Sequence, residues 1–274
     1  MAKRPPTTRS SQHDPTLLGR RFKQRLKRGE RLLGGMVLEY LRPSLIKAFK
    51  QAGYDFIFIE TEHAMFLTPQ FSDFVQSARD NGMPVISKAG KLDHSEIARI
   101  MDSGVVGLQL PATESREQVE QLIRYVKYLP QGTRAGAPCF GNVDYDWPDN
   151  HRAWLRKANA ASAIVLHIET ALGYENAEEI VSTPGVDMLY VGPYDFSIAM
   201  GQPGDYDHPD VKQPMRQILR LCQKYKVPFG TTASNPKSGA QWIKEGCQFF
   251  ELDDEISLIA SGARRMIETY RAHF

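Results

Sequence analysis

The chain predicts an α/β fold, a (β/α)8 TIM barrel, on three observations. From Phe22 onward, eight short apolar runs alternate with amphipathic segments with little else between them. The runs are rich in Val, Ile and Leu, as parallel strands buried on both faces must be. No G-x-G-x-x-G opens the first unit, which weakens the open, dinucleotide-binding alternative.

Taken in order, the first four strands are expected at Gly35–Tyr40, Asp55–Glu60, Pro84–Lys88 and Val105–Leu110. The second four are expected at Ala163–Ile168, Asp187–Val191, Pro228–Thr232 and Gln248–Leu252. Helical periodicity covers Ser44–Ala52, Thr68–Asn81, Ser95–Asp102 and Ser115–Tyr128, then Ala177–Ser182, Pro209–Tyr225, Pro236–Glu245 and Ile256–His273. Gly53, Gly82, Gly104 and Gly246 stand just past four of these helices, where a left-handed C-terminal residue belongs. One insertion, Gly132–Ala161, carries Tyr145, Trp147 and Trp154 and has no repeat pattern of a second domain. The organisation is therefore a flexible, basic N-terminal arm at residues 1–20 and a single barrel domain at residues 21–274.

Composition narrows the function. At 274 residues, with 42% hydrophobic residues, the chain is long enough for one large α/β domain or two small ones. No apolar segment reaches the length of a membrane span. A net charge of +2, with acids and bases interspersed, gives no reason to expect nucleic acid. Three scattered cysteines, Cys139, Cys222 and Cys247, read as reduced thiols of a cytoplasmic protein. The first residues lack the apolar core of a secretion signal and a clear amphipathic transit helix.

In a barrel, activity belongs to the loops that follow the strands, so polar residues at strand ends are the candidates. Glu169 and Asp195 each close an apolar run, and a helical stretch at Glu175–Thr183 separates the two. They should emerge side by side at the C-terminal edge of the sheet, as hard oxygen ligands for a divalent cation. The bland alternative for either acid is a solvated strand end or a helix cap. The second strand leads into Glu60-Thr-Glu62-His63 and the third into Lys88. A histidine there serves as a general base, a metal ligand or a structural hydrogen-bonding group. His94, His151 and His208 read as caps or solvated residues, and His167, inside its strand, as a satisfied core histidine.

These stretches resemble a known family. Gly53-Tyr-Asp-Phe-Ile-Phe-Ile-Glu-Thr-Glu-His63 looks like the G-x-D-x-x-x-x-D-x-E-H motif of the metal-dependent pyruvate aldolases. That family (HpcH/HpaI, within the phosphoenolpyruvate/pyruvate barrels) includes 4-hydroxy-2-oxoheptanedioate aldolase, 2-dehydro-3-deoxyglucarate aldolase and macrophomate synthase. Leu129–Arg134, Lys157–Asn159, Ile168–Thr170 and Gly185–Ser197 match in register as well, so the similarity spans Phe22 to Phe274.

The resemblance implies that Glu169 and Asp195 hold Mg²⁺, Mn²⁺ or Co²⁺, which a 2-oxo acid substrate chelates. It implies that backbone amides around Gly192, Pro193, Tyr194 and Asp195 contact the substrate carboxylate. His63, with water, would handle the proton, and Asp102, often supplied by a neighbouring subunit, would pair with it. It implies homohexamers, trimers of dimers with the last helix exchanged between subunits. The apolar Ile256, Leu258, Ile259, Ala260, Ala263, Met266 and Ile267 suit such a role, the alternative being a helix that covers its own barrel.

The chain also departs from the pattern. Lys88 stands where the family carries an arginine facing the keto oxygen; it keeps the charge and loses the planar fork. Glu60 replaces an aspartate lining the substrate, and Val37 a larger pocket residue. The last strand ends in the acidic run Glu251-Leu-Asp253-Asp254-Glu255. The expected function is carbon–carbon bond cleavage or formation through a pyruvate-type enolate, with a 4-hydroxy-2-oxo acid split to pyruvate and an aldehyde. The alternatives are a condensation driven by oxaloacetate decarboxylation and a non-catalytic barrel that binds a 2-oxo acid.

Overall fold

A computed structural model describes residues 14–274 apart from Met65, Leu67 and Ser234. Its strands are β1 Leu32–Val37, β2 Phe56–Ile59, β3 Val85–Lys88 and β4 Gly107–Leu110, then β5 Ala163–Ile168, β6 Met188–Val191, β7 Phe229–Thr231 and β8 Phe249–Asp254. They pair in parallel and in sequence order, and β8 returns to β1, so the sheet closes into the expected barrel. Helix α1 (Thr16–Lys27) precedes β1. Then follow α2 (Pro43–Ala52), α3 (Thr68–Asp80), α4 (His94–Asp102), α5 (Arg116–Val126) and α6 (His151–Ala161). The second half holds α7 (Ala171–Glu175), α8 (Ala177–Val181), α9 (Pro193–Ala199), α10 (Pro209–Tyr225), α11 (Pro236–Glu245) and α12 (Glu255–Arg271). None of them is long and apolar enough to cross a membrane.

Strand alternation divides the buried residues into two cores. Ile57, Ile59, Leu108, Ile164, Leu166, Ile168 and Leu189 point outward and pack under the helices. Leu32, Phe56, Phe58, Ile86, Val165, Met188 and Phe249 point inward, where α1 closes the barrel base with Phe22 and Leu26. Phe22 meets Phe56 and Phe249 edge-on, with centroids 5.9 and 6.3 Å away, and those two rings stack at 4.3 Å.

The structure corrects several sequence expectations. β1 begins at Leu32 and ends at Val37, not at Tyr40. Gly34-Gly35 reads as a strand start, but both glycines lie inside the strand because rings fill the space a side chain would need. A Cβ at Gly34 would collide with Phe56, and one at Gly35 would come 2.6 Å from Phe49. Residues 16–20, expected within the arm, belong to α1, whose buried Thr16, Gly19, Phe22 and Leu26 follow a helical period. Asp14 receives the Thr16 N–H and hydroxyl at 3.0 and 2.6 Å at its start. The arm's residues 1–13 lie outside the described residues.

The insertion holds α6, capped by Asn150 and packed through Trp154 on Tyr128. A reading tuned to strand–helix repeats passes over such an extra helix. The same holds for the short α9, which Gly192-Pro193 starts immediately after β6. Finally, α12 does not cover its own barrel: Ile256, Ile259, Met266, Ile267 and Tyr270 are exposed, and only Glu255 is buried.

Candidate active site at the barrel mouth

The inward register turns polar toward the C-terminal ends of β3, β4, β5, β6 and β8. Lys88, Gln109, His167, Glu169, Tyr190 and Glu251 all stand in the inward set, and all are buried. Strand alternation places them: Val165, His167 and Glu169 are every second residue of β5 and its end, as are Met188, Tyr190 and Gly192 of β6.

Lys88 is the centre of this layer. It is 4% exposed, so it does not point into solvent. Its ammonium pairs with Glu62 and lies 3.5 Å from Glu60. Burial pulls its pKa down, but Glu169, Glu60 and Glu62 outweigh burial and hold it above the ordinary lysine value. Lys88 is therefore a fixed positive charge, not an amine poised for Schiff-base formation.

Glu169 accepts the Ala112 N–H at 2.7 Å through one carboxylate oxygen, and its other oxygen, Oε2, is buried without a hydrogen-bond partner. Burial raises its pKa; Lys88 and the Ala112 amide oppose this, while Glu62 and Asp195 add to it. His167 Nε2 lies 3.1 Å from Glu169 Oε2 but out of hydrogen-bond alignment, and neither ring nitrogen has a partner. The satisfied core histidine expected from the sequence is thus not what the structure holds. Burial, then the charge of Lys88, pushes the His167 pKa well below the usual range, so the ring is neutral and the contact is not an ion pair.

Asp195 is exposed on the first turn of α9, close enough to Glu169 for its charge to be felt there. Gly192 caps that helix, Pro193 is buried and Tyr194 is exposed. The first amides of a helix have no partner within it and face what lies in front of them. The donors fit a divalent cation: hard carboxylate oxygens, one buried and unpartnered, the other exposed on the first turn of α9 just past β6. Among the described residues no group of three or more His, Cys, Asp or Glu is assembled to hold a metal.

His63 follows β2 on the same rim, its side chain 73% exposed and 3.7 Å from Glu62. The Glu60 carboxylate fixes this turn by accepting the Glu62 and His63 N–H groups at 2.5 and 3.2 Å. Asp102 is not with them. It ends α4 just before β4 begins, at the opposite end of the barrel, where Arg134 and Asn142 bind it.

Four participants escaped assignment from the sequence: Glu62, Gln109, Tyr190 and Glu251. Gln109 donates to Glu251 at 2.9 Å, and Tyr190 bonds Thr232 at 2.5 Å beside them. Burial pushes the Glu251 pKa up to about 8, against the pull of Gln109 and Lys88. For Gln109, Tyr190 and Glu251 the available signal was register, each being a polar residue at an inward position of a strand, whereas Glu62 lies in the loop after β2.

Comparison with known proteins bears on the chain as a whole. The family model described as HpcH/HpaI aldolase/citrate lyase matches residues 35–260. The 2-dehydro-3,6-dideoxy-6-sulfogluconate aldolase of Pseudomonas putida is 27% identical over 88% of this chain and 93% of its own. The hydroxypyruvate/pyruvate aldolase of Delftia acidovorans is 28% identical over 92% of each. The crystal structure of an HpcH/HpaI aldolase from Desulfitobacterium hafniense superposes with a TM-score of 0.86 at 24% identity, covering 91% of this chain and 96% of that one.

Proposed function

The chain belongs to the HpcH/HpaI aldolase/citrate lyase family, and on that premise we propose that it splits a 4-hydroxy-2-oxo acid into pyruvate and an aldehyde, and runs the reverse condensation. The observation that carries this reading is Glu169. Its buried, unpartnered carboxylate oxygen stands at a strand end beside Asp195, with a protonated lysine behind it.

Glu169 and Asp195 would hold the divalent cation. When bound, that ion supplies positive charge to the substrate's carboxylate and keto oxygens as electrons move toward them. Lys88, clamped by Glu60 and Glu62, adds a fixed charge beneath the same oxygens but cannot fix their plane as a guanidinium would. The amides at the start of α9 orient the carboxylate, with Gly192 giving it close approach. In cleavage the 4-hydroxyl loses its proton, the C3–C4 bond breaks, and C3 gains a proton to become the methyl group of pyruvate. His63, exposed at the rim, moves those protons through water.

The proposal extends to assembly and location. The bare apolar face of α12 supports docking on a second copy, in the trimer-of-dimers hexamer the resemblance implies. Within one chain Asp102 and His63 stand at opposite ends of the barrel, so their pairing requires a neighbouring subunit. The free cysteines are in keeping with a cytoplasmic enzyme.

The test is product analysis with pyruvate or oxaloacetate as donor and a panel of aldehydes, with and without Mg²⁺, Mn²⁺ and Co²⁺. Metal-dependent aldol product from pyruvate supports the reading. Condensation from oxaloacetate alone replaces it with the decarboxylating reaction, and turnover that ignores chelation removes the cation from the mechanism.

A further inference from the structure

We propose that Glu255 is a positioning residue of the active site, holding the loop after β1 in place from the first turn of the last helix. It is a buried charge that the aldol chemistry does not use. At 1% exposure, its carboxylate is bound by backbone alone: Oε1 accepts the N–H groups of Leu38, Glu39 and Tyr40 at 3.1, 2.6 and 2.8 Å, and Oε2 accepts that of Leu38 at 3.0 Å. Successive amides turned onto one anion form the cradle that loops offer to bound anions, and here the anion comes from the chain itself. The residue before it has a separate task. Asp254 caps α12 by accepting the Ser257 N–H at 2.9 Å, so the junction splits its two acids between its own helix and the loop of another strand.

The clamped loop reaches the chemistry through one peptide. The Val37 carbonyl at its start accepts the Glu60 N–H at 3.1 Å, and the Glu60 carboxylate lies 3.5 Å from the Lys88 ammonium. The clamp also sits where the barrel closes, beside the seam at which the β1–β8 register shifts between Gly34 and Met36. Past Glu255 the helix leaves the barrel with an exposed apolar face. One residue therefore ties the wall beside Glu60 to a helix whose apolar face is exposed. This role rests on the function proposed above.

The test replaces the carboxylate with its isostere, Glu255→Gln, and follows two readouts with the full chain. In hydrogen exchange, the amides of Leu38, Glu39 and Tyr40 should lose protection by about tenfold or more, while amides of the barrel base keep theirs. In Mg²⁺-dependent exchange of pyruvate methyl protons with D₂O, KM for pyruvate should rise severalfold with kcat within about twofold. Glu255→Asp, which keeps the charge but draws it back by one methylene, should shift both readouts in the same direction by less, and it serves if the Gln variant does not fold. Amides that stay protected in both variants overturn the clamp, and released amides with unchanged KM and kcat reduce it to a structural contact. A wild type that exchanges no pyruvate protons counts against the aldolase reading instead, and the amide readout still judges the clamp.

Discussion

The two ends of this barrel are built from the same strands and solve opposite problems. At the base, Phe22, Phe56 and Phe249 fill the interior with one another's rings, and the surrounding charges are paired: Lys23 with Asp187 at 2.9 Å, Arg25 with Asp55 at 2.7 Å. At the mouth, the same inward register holds Lys88, Gln109, His167, Glu169 and Glu251, and leaves Gln109 Oε1, both His167 nitrogens and Glu169 Oε2 without hydrogen-bond partners. Buried polar atoms left this way destabilise a fold; those away from the mouth, Arg20 Nε, Arg134 Nε, Asn142 Oδ1 and Trp154 Nε1, lie on α1, α6 and the insertion, whereas at the mouth they line the barrel interior itself. The base exists for the protein and the mouth for what it binds.

The sharpest way to break this comparison is to exchange the consequences. Glu169→Ala, and separately Asp195→Ala, should lower turnover by at least ~10²-fold, the scale seen when one charge-stabilising group is lost. The isosteric Glu169→Gln, which keeps an acceptor for the Ala112 N–H, should lose turnover but melt close to the wild type, because it removes a carboxylate charge that burial disfavours. A variant that melts lower and still turns over would make Glu169 a structural residue. Phe22→Ala should do the reverse, costing about 3–5 kcal/mol in urea denaturation while turnover of the folded enzyme stays within about twofold.

A gentler probe uses pH, because the two ends hold buried groups shifted in opposite directions. Folded, Glu251 keeps its proton up to about pH 8, whereas unfolded it releases it near the ordinary value of 4.5. Its contribution to stability is complete below pH 4.5 and is lost as pH rises through about 8. Lys127, at the base, donates to the carbonyls of Asn159 and Ser162, and burial brings its pKa down from 10.5 to about 7. Its contribution is complete above pH 10.5 and is lost as pH falls through about 7. Denaturation across this range should show Glu251→Gln removing the fall in stability as pH rises from 4.5 to about 8, and Lys127→Met removing the rise in stability from about pH 7 to 10.5. The same slope in both variants would mean that neither group titrates as its surroundings dictate.

The smallest expected change is Lys88→Arg. Overpacking that buried position should cost about 1–3 kcal/mol, and the regained fork should raise turnover on pyruvate. An unchanged rate would place Lys88 outside substrate contact.

The barrel was legible because its signal is repeated: eight apolar runs with helical segments between them leave few other folds. What departed from repetition was harder to read. The Gly34-Gly35 pair hid the start of β1 because the rings that demand it, Phe56 and Phe49, lie on other elements. Helix α1 was cut at residue 20 because basic composition masked the period of Thr16, Gly19, Phe22 and Leu26. At the site, Glu169, Asp195, Glu60, Lys88 and His63 announced themselves as strand-end residues, and the structure brings them to one rim. Gln109 and Tyr190 did not, since a polar residue in an apolar strand declares itself only when the inward register is known. Asp102 was assigned through the resemblance, and its partners in this chain, Arg134 and Asn142, come from an insertion with no repeat to guide the eye.

The contact between Gly192 and His167 constrains how this sequence can change over time. A Cβ at position 192 would come 2.2 Å from the imidazole Nε2, so a substitution there requires the buried histidine to move. A smaller residue at 167 would open the position, which makes the two sites epistatic and fixes the order in which a lineage, or a directed-evolution library, can cross between their allowed states. Single-site scans of position 192 should score every substitution as costly. Paired libraries that vary 167 and 192 together would find pocket shapes that no stepwise search beginning at 192 can reach.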